Sequence, residues 1–260
     1  MWCAVVWRLT VTTLSIGLFF GMLICLEVGH RFGRGVAAQN AKAHRGLGPL
    51  EAAIFALLGL LLGFAFADAL SRFDDRRQLI IQEAKAISTA YLRLDLLATD
   101  QEPIRHLFRE YLDARIRVYE DVADEVRKTR IAEAAGLQRR IWVRAVIAGR
   151  ADPTENTGQV VLPAINEMIE VTMARTLALR TRIAPLILTL LCVVALLSAL
   201  MAGYAMSARP RRSLPHMVSY AACVALTIYA VLDLDNPRRG FIHLVSADTL
   251  LEELRTSIHE

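Results

Sequence analysis

Hydrophobic positions in this chain gather into four long blocks, roughly Leu9–Val28, Leu50–Leu70, Ile183–Met206 and Leu214–Leu234. Each approaches the ~20 residues that a helix needs to cross the apolar part of a bilayer. Between the second and third blocks the pattern changes. Over Ser71–Arg182 apolar residues recur at steps of three and four among charged ones, which is the signature of amphipathic helices. The pattern predicts an all-α protein: four transmembrane helices in two hairpins, with a helical bundle inserted between the second and third. The segments are 1–70 for the first hairpin (spans about 9–28 and 50–70), 71–182 for the hydrophilic helical domain, 183–240 for the second hairpin (spans about 183–206 and 214–234), and 241–260 for a C-terminal tail.

Local signals refine this outline. The first block lacks a basic leader beyond Arg8 and a small-x-small cleavage site, and Glu27 closes it, so it reads as a retained membrane helix. The second block has no stop: neither proline nor glycine occurs between Gly63 and Pro103. Ile80, Ala84, Ile87, Tyr91 and Leu94 continue a helical seam beyond it. Asp100 is a candidate N-cap with Pro103 in the next first turn. The following helix is expected over Gln101–Ala135, on an apolar face of Ile104, Leu107, Phe108, Tyr111, Val118, Val122 and Val126. Gly136 should interrupt it, with a shorter helix over Leu137–Ala148. Arg150–Gly158 reads as a loop, and Val161–Arg182 as a helix entering the third span. The bundle would thus stand on extensions of the second and third transmembrane helices.

Composition narrows the function. The 260 residues are 55% hydrophobic and 22% charged, with net charge +4. Mean hydropathy is +0.38 and the pI about 9.0. In a membrane protein this basic excess fits contact with anionic headgroups of the lipid bilayer. Nucleic acid is not an expected partner, because the insertion has no basic stripe interleaved with aromatics. Cys3, Cys25, Cys192 and Cys223 sit in or beside the spans without a CxxC pair, and the histidines show no ligand spacing. No cofactor or metal is expected, and no P-loop, GxSxG or HExxH motif suggests an enzyme. Glu83 and Glu167 read as partners for nearby arginines.

Inside the spans, small residues recur four apart at Gly17 and Gly21, Gly59 and Gly63, and Ala199 and Gly203, a spacing that lets helix backbones approach closely in lipid. No carboxylate falls at a midplane, which argues against a proton-driven transporter, whereas a pore of apolar constrictions and hydroxyls needs none. Charge concentrates where the spans end. The second exits through Asp68, Arg72, Asp74, Asp75, Arg76 and Arg77; the fourth exits through Asp233, Asp235, Arg238 and Arg239. Candidate membrane-edge ion pairs are therefore Arg72, Arg76 and Arg77 with Asp233 and Asp235, and Arg238 and Arg239 beside them. The same residues serve equally as lipid-phosphate anchors or as part of an ion path. Glu27, His30 and Arg31 close the first helix on the other side.

Several motifs together resemble the bacterial bestrophin-like membrane proteins. They are Leu58-Gly-Leu-Leu-Leu-Gly-Phe-Ala-Phe66, Ser71-Arg72-Phe73-Asp74 with Arg76-Arg77, Glu83-Ala84, and Ala90-Tyr-Leu-Arg93-Leu-Asp95-Leu-Leu97. Glu27-Val-Gly29, Tyr111-Leu-Asp-Ala-Arg115, Pro163-Ala-Ile-Asn166-Glu167-Met168 and Asp233-Leu-Asp235-Asn-Pro237-Arg238-Arg239-Gly240 add to them. Lys85 departs from the pattern, which has Asn after Glu-Ala. The resemblance implies distant kinship with bestrophins, oligomeric anion channels with four transmembrane helices and a cytosolic helical region. It implies a homo-oligomer passing chloride or other small anions along a central path lined by one helix from each subunit, and the second helix, with small residues, aromatic rings and a terminal charge on one rod, is the candidate. Gly59, Gly63, Phe64, Phe66 and Asp68 are the candidate pore or constriction residues. The alternative is a membrane-anchored interaction or sensory module acting through the helical domain. Arginine-rich flanks place the insertion and both termini in the cytoplasm of a bacterial cell membrane by the positive-inside count.

Overall fold

A computed structural model of the chain describes residues 2–39, 48–120, 123–151, 156–179, 183–207, 214–235 and 245–259. Among these residues all regular structure is helical: α1 (Trp2–Gln39), α2 (Gly48–Arg93), α3 (Gln101–Val118), α4 (Asp124–Arg150), α5 (Asn156–Ala178), α6 (Pro185–Met206), α7 (Leu214–Asp235) and α8 (Val245–His259). Four of them carry segments long and apolar enough to cross a membrane: Trp7–Gly35, Glu51–Leu96, Pro185–Met206 and Leu214–Asp235. The chain divides into two compact units. An apolar unit comprises Val5–Phe73 and Arg182–Ile242; a helical unit comprises Met1–Ala4, Asp74–Thr181 and His243–Glu260.

In the apolar unit, α1, the first part of α2, α6 and α7 bury Met22, Leu26, Ala69, Ala195, Ala199, Ala221, Ile228 and Val231 in one cluster. Glu27 does not end α1. It pairs with Arg31 one turn on, at 2.7 Å, and the helix continues to Gln39. The tightest crossing is between α1 and α6. A Cβ at Gly29 would fall on the Leu200 carbonyl, one at Gly33 on Ser207, and one at Gly203 on the Leu26 carbonyl. Gly29 and Gly33 thus form the close-approach pair of α1, against Leu200, Tyr204 and Ser207, and Gly203 does the same for α6 against Leu26. Among the described residues a Cβ at Gly21 would meet the Leu196 side chain, and nothing lies within 4 Å of one added at Gly17, Gly59 or Gly63.

The helical unit packs the end of α2 with α3, α4, α5 and α8 around Ile87, Leu94, Ile104, Phe108, Leu112, Ile141, Ile165 and Met168. The α2 seam ends in a 3-10 turn, Leu94–Leu96. Asp100 occupies the N-cap position of α3, but in a left-handed conformation (φ 64°) and without a capping hydrogen bond from its side chain. Its carboxylate faces Arg144 instead, at 3.3 Å. The C-terminal helix α8 is bound to this core. Leu251 and Ile258 are buried, Arg109 Nε donates to the Ile258 carbonyl at 3.2 Å, and Arg255 pairs with Asp113 at 2.7 Å.

Three boundaries differ from the sequence expectation. The helix that starts at Gln101 ends at Val118, and α4 runs unbroken through Gly136. The break coincides with a reversal of charge: Arg115 and Arg117 lie in the last turn of α3, and Asp124 and Glu125 in the first turn of α4. Each set complements the helix dipole at its end. Arg117–Glu133 and Arg130–Glu120 ion pairs, at 2.8 and 2.7 Å, tie the two helices together. Val126 is exposed rather than part of the α3 face, and Val122 lies outside the described residues. Lastly, α5 ends at Ala178 and α6 starts anew at Pro185, a residue suited to a first turn, so the third span is not an extension of the helix before it.

Candidate functional site

The candidate pore residues lie on the least covered of the apolar helices. Only 22% of the α2 apolar window is buried within the chain, against 50% for α7. Leu58, Ala65 and Ala69 turn inward. Gly59, Gly63 and Phe66 follow steps of four and three and share one uncovered face. Phe64 and Asp68, four apart, lie nearly opposite them on the other uncovered flank of the helix, because one residue advances an α-helix by about 100°. Phe64 is 64% exposed and Phe66 40%. The five residues are thus on one rod but not in one line.

Where α2 and α7 end their apolar segments, the structure brings Arg72 and Asp235 together. Arg72 Nε donates to Asp235 Oδ1 at 3.2 Å, and Arg72 Nη1 donates to Asp68 one turn back. The second Asp235 oxygen accepts the backbone N–H of Ile183 at 3.2 Å, just before α6. One carboxylate therefore links three segments of the apolar unit. Asp233 is buried on α7. Arg76 Nε lies 3.5 Å from the Ala178 carbonyl, and Arg77 is exposed on α2. Arg238 and Arg239 lie outside the described residues.

The helical unit holds a second charged group, and its convergence has no counterpart in sequence spacing. Glu83, on α2, is fully buried between two arginines that are buried as well. One carboxylate oxygen accepts Arg115 Nε of α3 at 2.7 Å, and the other accepts Arg175 Nη1 of α5. The Tyr119 ring lies beneath both guanidiniums, with centroid distances of 3.6 Å for Arg175 and 5.0 Å for Arg115. Such cation–π contacts strengthen away from water. Thr172 Oγ1 lies 3.3 Å from Glu83 and 2.8 Å from the Tyr111 hydroxyl, which also accepts Gln138 Nε2 at 3.0 Å. Burial alone would lower the Arg115 pKa, but Tyr119 and Glu83 outweigh it and the net direction is upward. Burial pushes the Tyr111 phenol upward too, so it stays neutral. Glu83 takes the arginine-partner role, while Glu167 is exposed on α5. The helical periods of Glu83 and Arg115 signalled that each side chain faces inward. The meeting of positions 83, 115 and 175 depends on how three helices cross.

Four apolar spanning helices and a separate charged helical unit define a polytopic membrane protein. The chain belongs to the bestrophin-like family: residues 16–249 match the bestrophin-like domain. No curated protein matches the sequence significantly. The fold is similar to that of a bacterial bestrophin homologue from Klebsiella pneumoniae, solved as a crystal structure of a mutant. The TM-score is 0.70 over 95% of this chain and 96% of that one, at 13% identity.

Proposed function

We propose that this protein is a homo-oligomeric channel for chloride or other small anions, or a small-solute conduit, in the bacterial cell membrane. Its apolar unit would form two membrane hairpins, α1–α2 and α6–α7, with α2 of each subunit beside a central path. The observation that carries this reading is the uncovered face of α2. Among the described residues nothing lies within 4 Å of a Cβ added at Gly59 or Gly63, although glycine pairs at this spacing are suited to close helix approach. Four helices of one subunit close on themselves, so a path needs several copies. Phe66, in line with the glycines, is the constriction of choice, because aromatic rings around a narrow path gate it by dewetting. Phe64 and Asp68, on the other flank of α2, would face the adjacent subunit. The Arg72–Asp235 pair would fix the ends of α2 and α7 at the membrane edge. The bestrophin-like family and the similarity to a bacterial bestrophin homologue support the same reading.

Purified protein should run as an oligomer in mild detergent and release chloride from loaded liposomes, and Phe66→Ala should raise that flux several-fold. A monomer without anion flux would sink the channel and leave the membrane-anchored interaction or sensory module. In the proposed orientation the helical unit and both termini are cytoplasmic. Single cysteines at Asn40 and Asn156 then give opposite results with an impermeant thiol reagent in intact cells: labelling at Asn40 and protection at Asn156. The reverse pattern would invert the topology.

A further inference from the structure

Three arginines of α2 follow its apolar segment, and the structure gives two of them contacts. Arg72 is held by Asp68 and Asp235, and Arg76 Nε lies 3.5 Å from the Ala178 carbonyl. Arg77 is exposed, and among the described residues its side chain has no hydrogen-bond or ion-pair partner. An exposed arginine is ordinarily just a solvated one, so its place on the helix decides what it can do. α2 is a single unbroken helix from Gly48 to Arg93. At about 100° per residue, Arg77 comes about five whole turns after Gly59, in register with Gly59, Gly63, Phe66 and Leu70. All five residues of that line are exposed. The neighbouring exposed acids fall off it: Asp74 is turned about 60° from the line and Asp75 about 160°, on the flank of Phe64 and Asp68. Along the axis Arg77 stands about 16 Å beyond Phe66, at about 1.5 Å per residue.

Resting on the reading of α2 as the helix beside the central path, we propose that Arg77 makes that path prefer anions over cations. One guanidinium from each subunit forms a positive ring around the path beyond Phe66. Symmetry repeats the charge about one axis, so fields that are weak singly add there and raise the local concentration of anions. Rings of arginine or lysine set anion selectivity in this way. The ring acts through its field and not through a contact, so salt weakens it: the Debye length is ~10 Å at 0.1 M and ~3 Å at 1 M. An arginine that only anchors a lipid phosphate, or is only solvated, leaves the permeability ratio unmoved.

The test is the reversal potential of the full chain in planar bilayers under a potassium chloride gradient, read as the chloride-to-potassium permeability ratio. Arg77→Gln should lower that ratio about threefold or more at ~0.1 M salt, while Arg77→Lys keeps it near wild type. Gln78→Glu changes the charge by the same single unit one residue on, but about 100° off the line, and should shift the ratio far less. The wild type itself should lose preference as salt rises to ~1 M, a measurement that needs no variant. Light scattering in mild detergent checks that each variant keeps the wild-type oligomeric mass. A conducting wild type whose ratio is unmoved by Arg77→Gln, moved equally by Gln78→Glu, or independent of salt would overturn the role of Arg77 and leave the channel standing. A wild type that passes no current would overturn both.

Discussion

The apolar unit and the helical unit each hold several helices together, and they do so by different physical means. In the apolar unit the closest contacts are backbone against backbone: Gly203 of α6 against the Leu26 carbonyl of α1, and Gly29 of α1 against the Leu200 carbonyl of α6. Lipid tails are as apolar as leucine, so burial of apolar area discriminates little between a packed and an unpacked helix there. Close van der Waals fit then decides the association. Ionic contacts such as Arg72–Asp235 are kept to the edge. The helical unit is organised by an apolar core from Ile87 to Met168. Hydrophobic burial drives its folding, so it can tolerate a costly charged group at its centre, provided each charge is paired.

This contrast is sharpened by removing the central contact of each region. The largest loss is expected in the helical unit. Glu83→Gln leaves two buried guanidiniums without their carboxylate, and breaking a buried pair in this way costs about 3–5 kcal/mol. A thermal melt followed by far-ultraviolet circular dichroism should show the helical unit unfolding early. A Tm equal to wild type would mean that the arginines are not held by Glu83.

In the apolar unit, Gly203→Val inserts side-chain volume where the α6 and α1 backbones touch. Overpacking of this kind costs roughly 1–3 kcal/mol. It should lower the denaturant midpoint of the solubilised protein, while Gly63→Val, with open space around it, leaves that midpoint nearly unchanged. Equal effects at the two glycines would break the assignment of α1–α6 as the close crossing.

An effect of similar size belongs to the edge pair. Arg72 is 16% exposed and Asp235 6%, so its loss lies between the surface and buried cases, about 2 kcal/mol. Asp235→Asn and Arg72→Gln should each destabilise by a similar amount, and the double variant should be no worse than the more severe single one. Full additivity would mean that the two residues do not interact.

How far each element could be read from sequence follows from the range of the forces that set it. Apolar spans are legible because length and composition suffice for them, and the α2 seam through Ile80, Ile87 and Leu94 is legible because helical periodicity is local. The break between Val118 and Asp124 carries neither proline nor glycine, the usual markers of a helix end. The marker present was a switch from Arg115 and Arg117 to Asp124 and Glu125. Among the glycine pairs, spacing identifies a smooth face but not what covers it. Gly29 and Gly33 meet α6, whereas Gly59 and Gly63, at the same spacing, meet nothing among the described residues.

By itself the sequence determined that the chain is helical, that it has four membrane-length helices, and that a charged helical segment separates them in pairs. Those properties come from residue-by-residue transfer energies and from repeats of three to four residues, and both act over one or two turns. Tertiary structure alone decided that Glu83 lies between Arg115 and Arg175, that Asp235 joins Arg72 to the backbone before α6, and that Gly203 rather than Gly59 bears a helix crossing. Each of these joins residues far apart in the chain, and their distance in space is set by the angles at which helices pack. No local pattern encodes those angles.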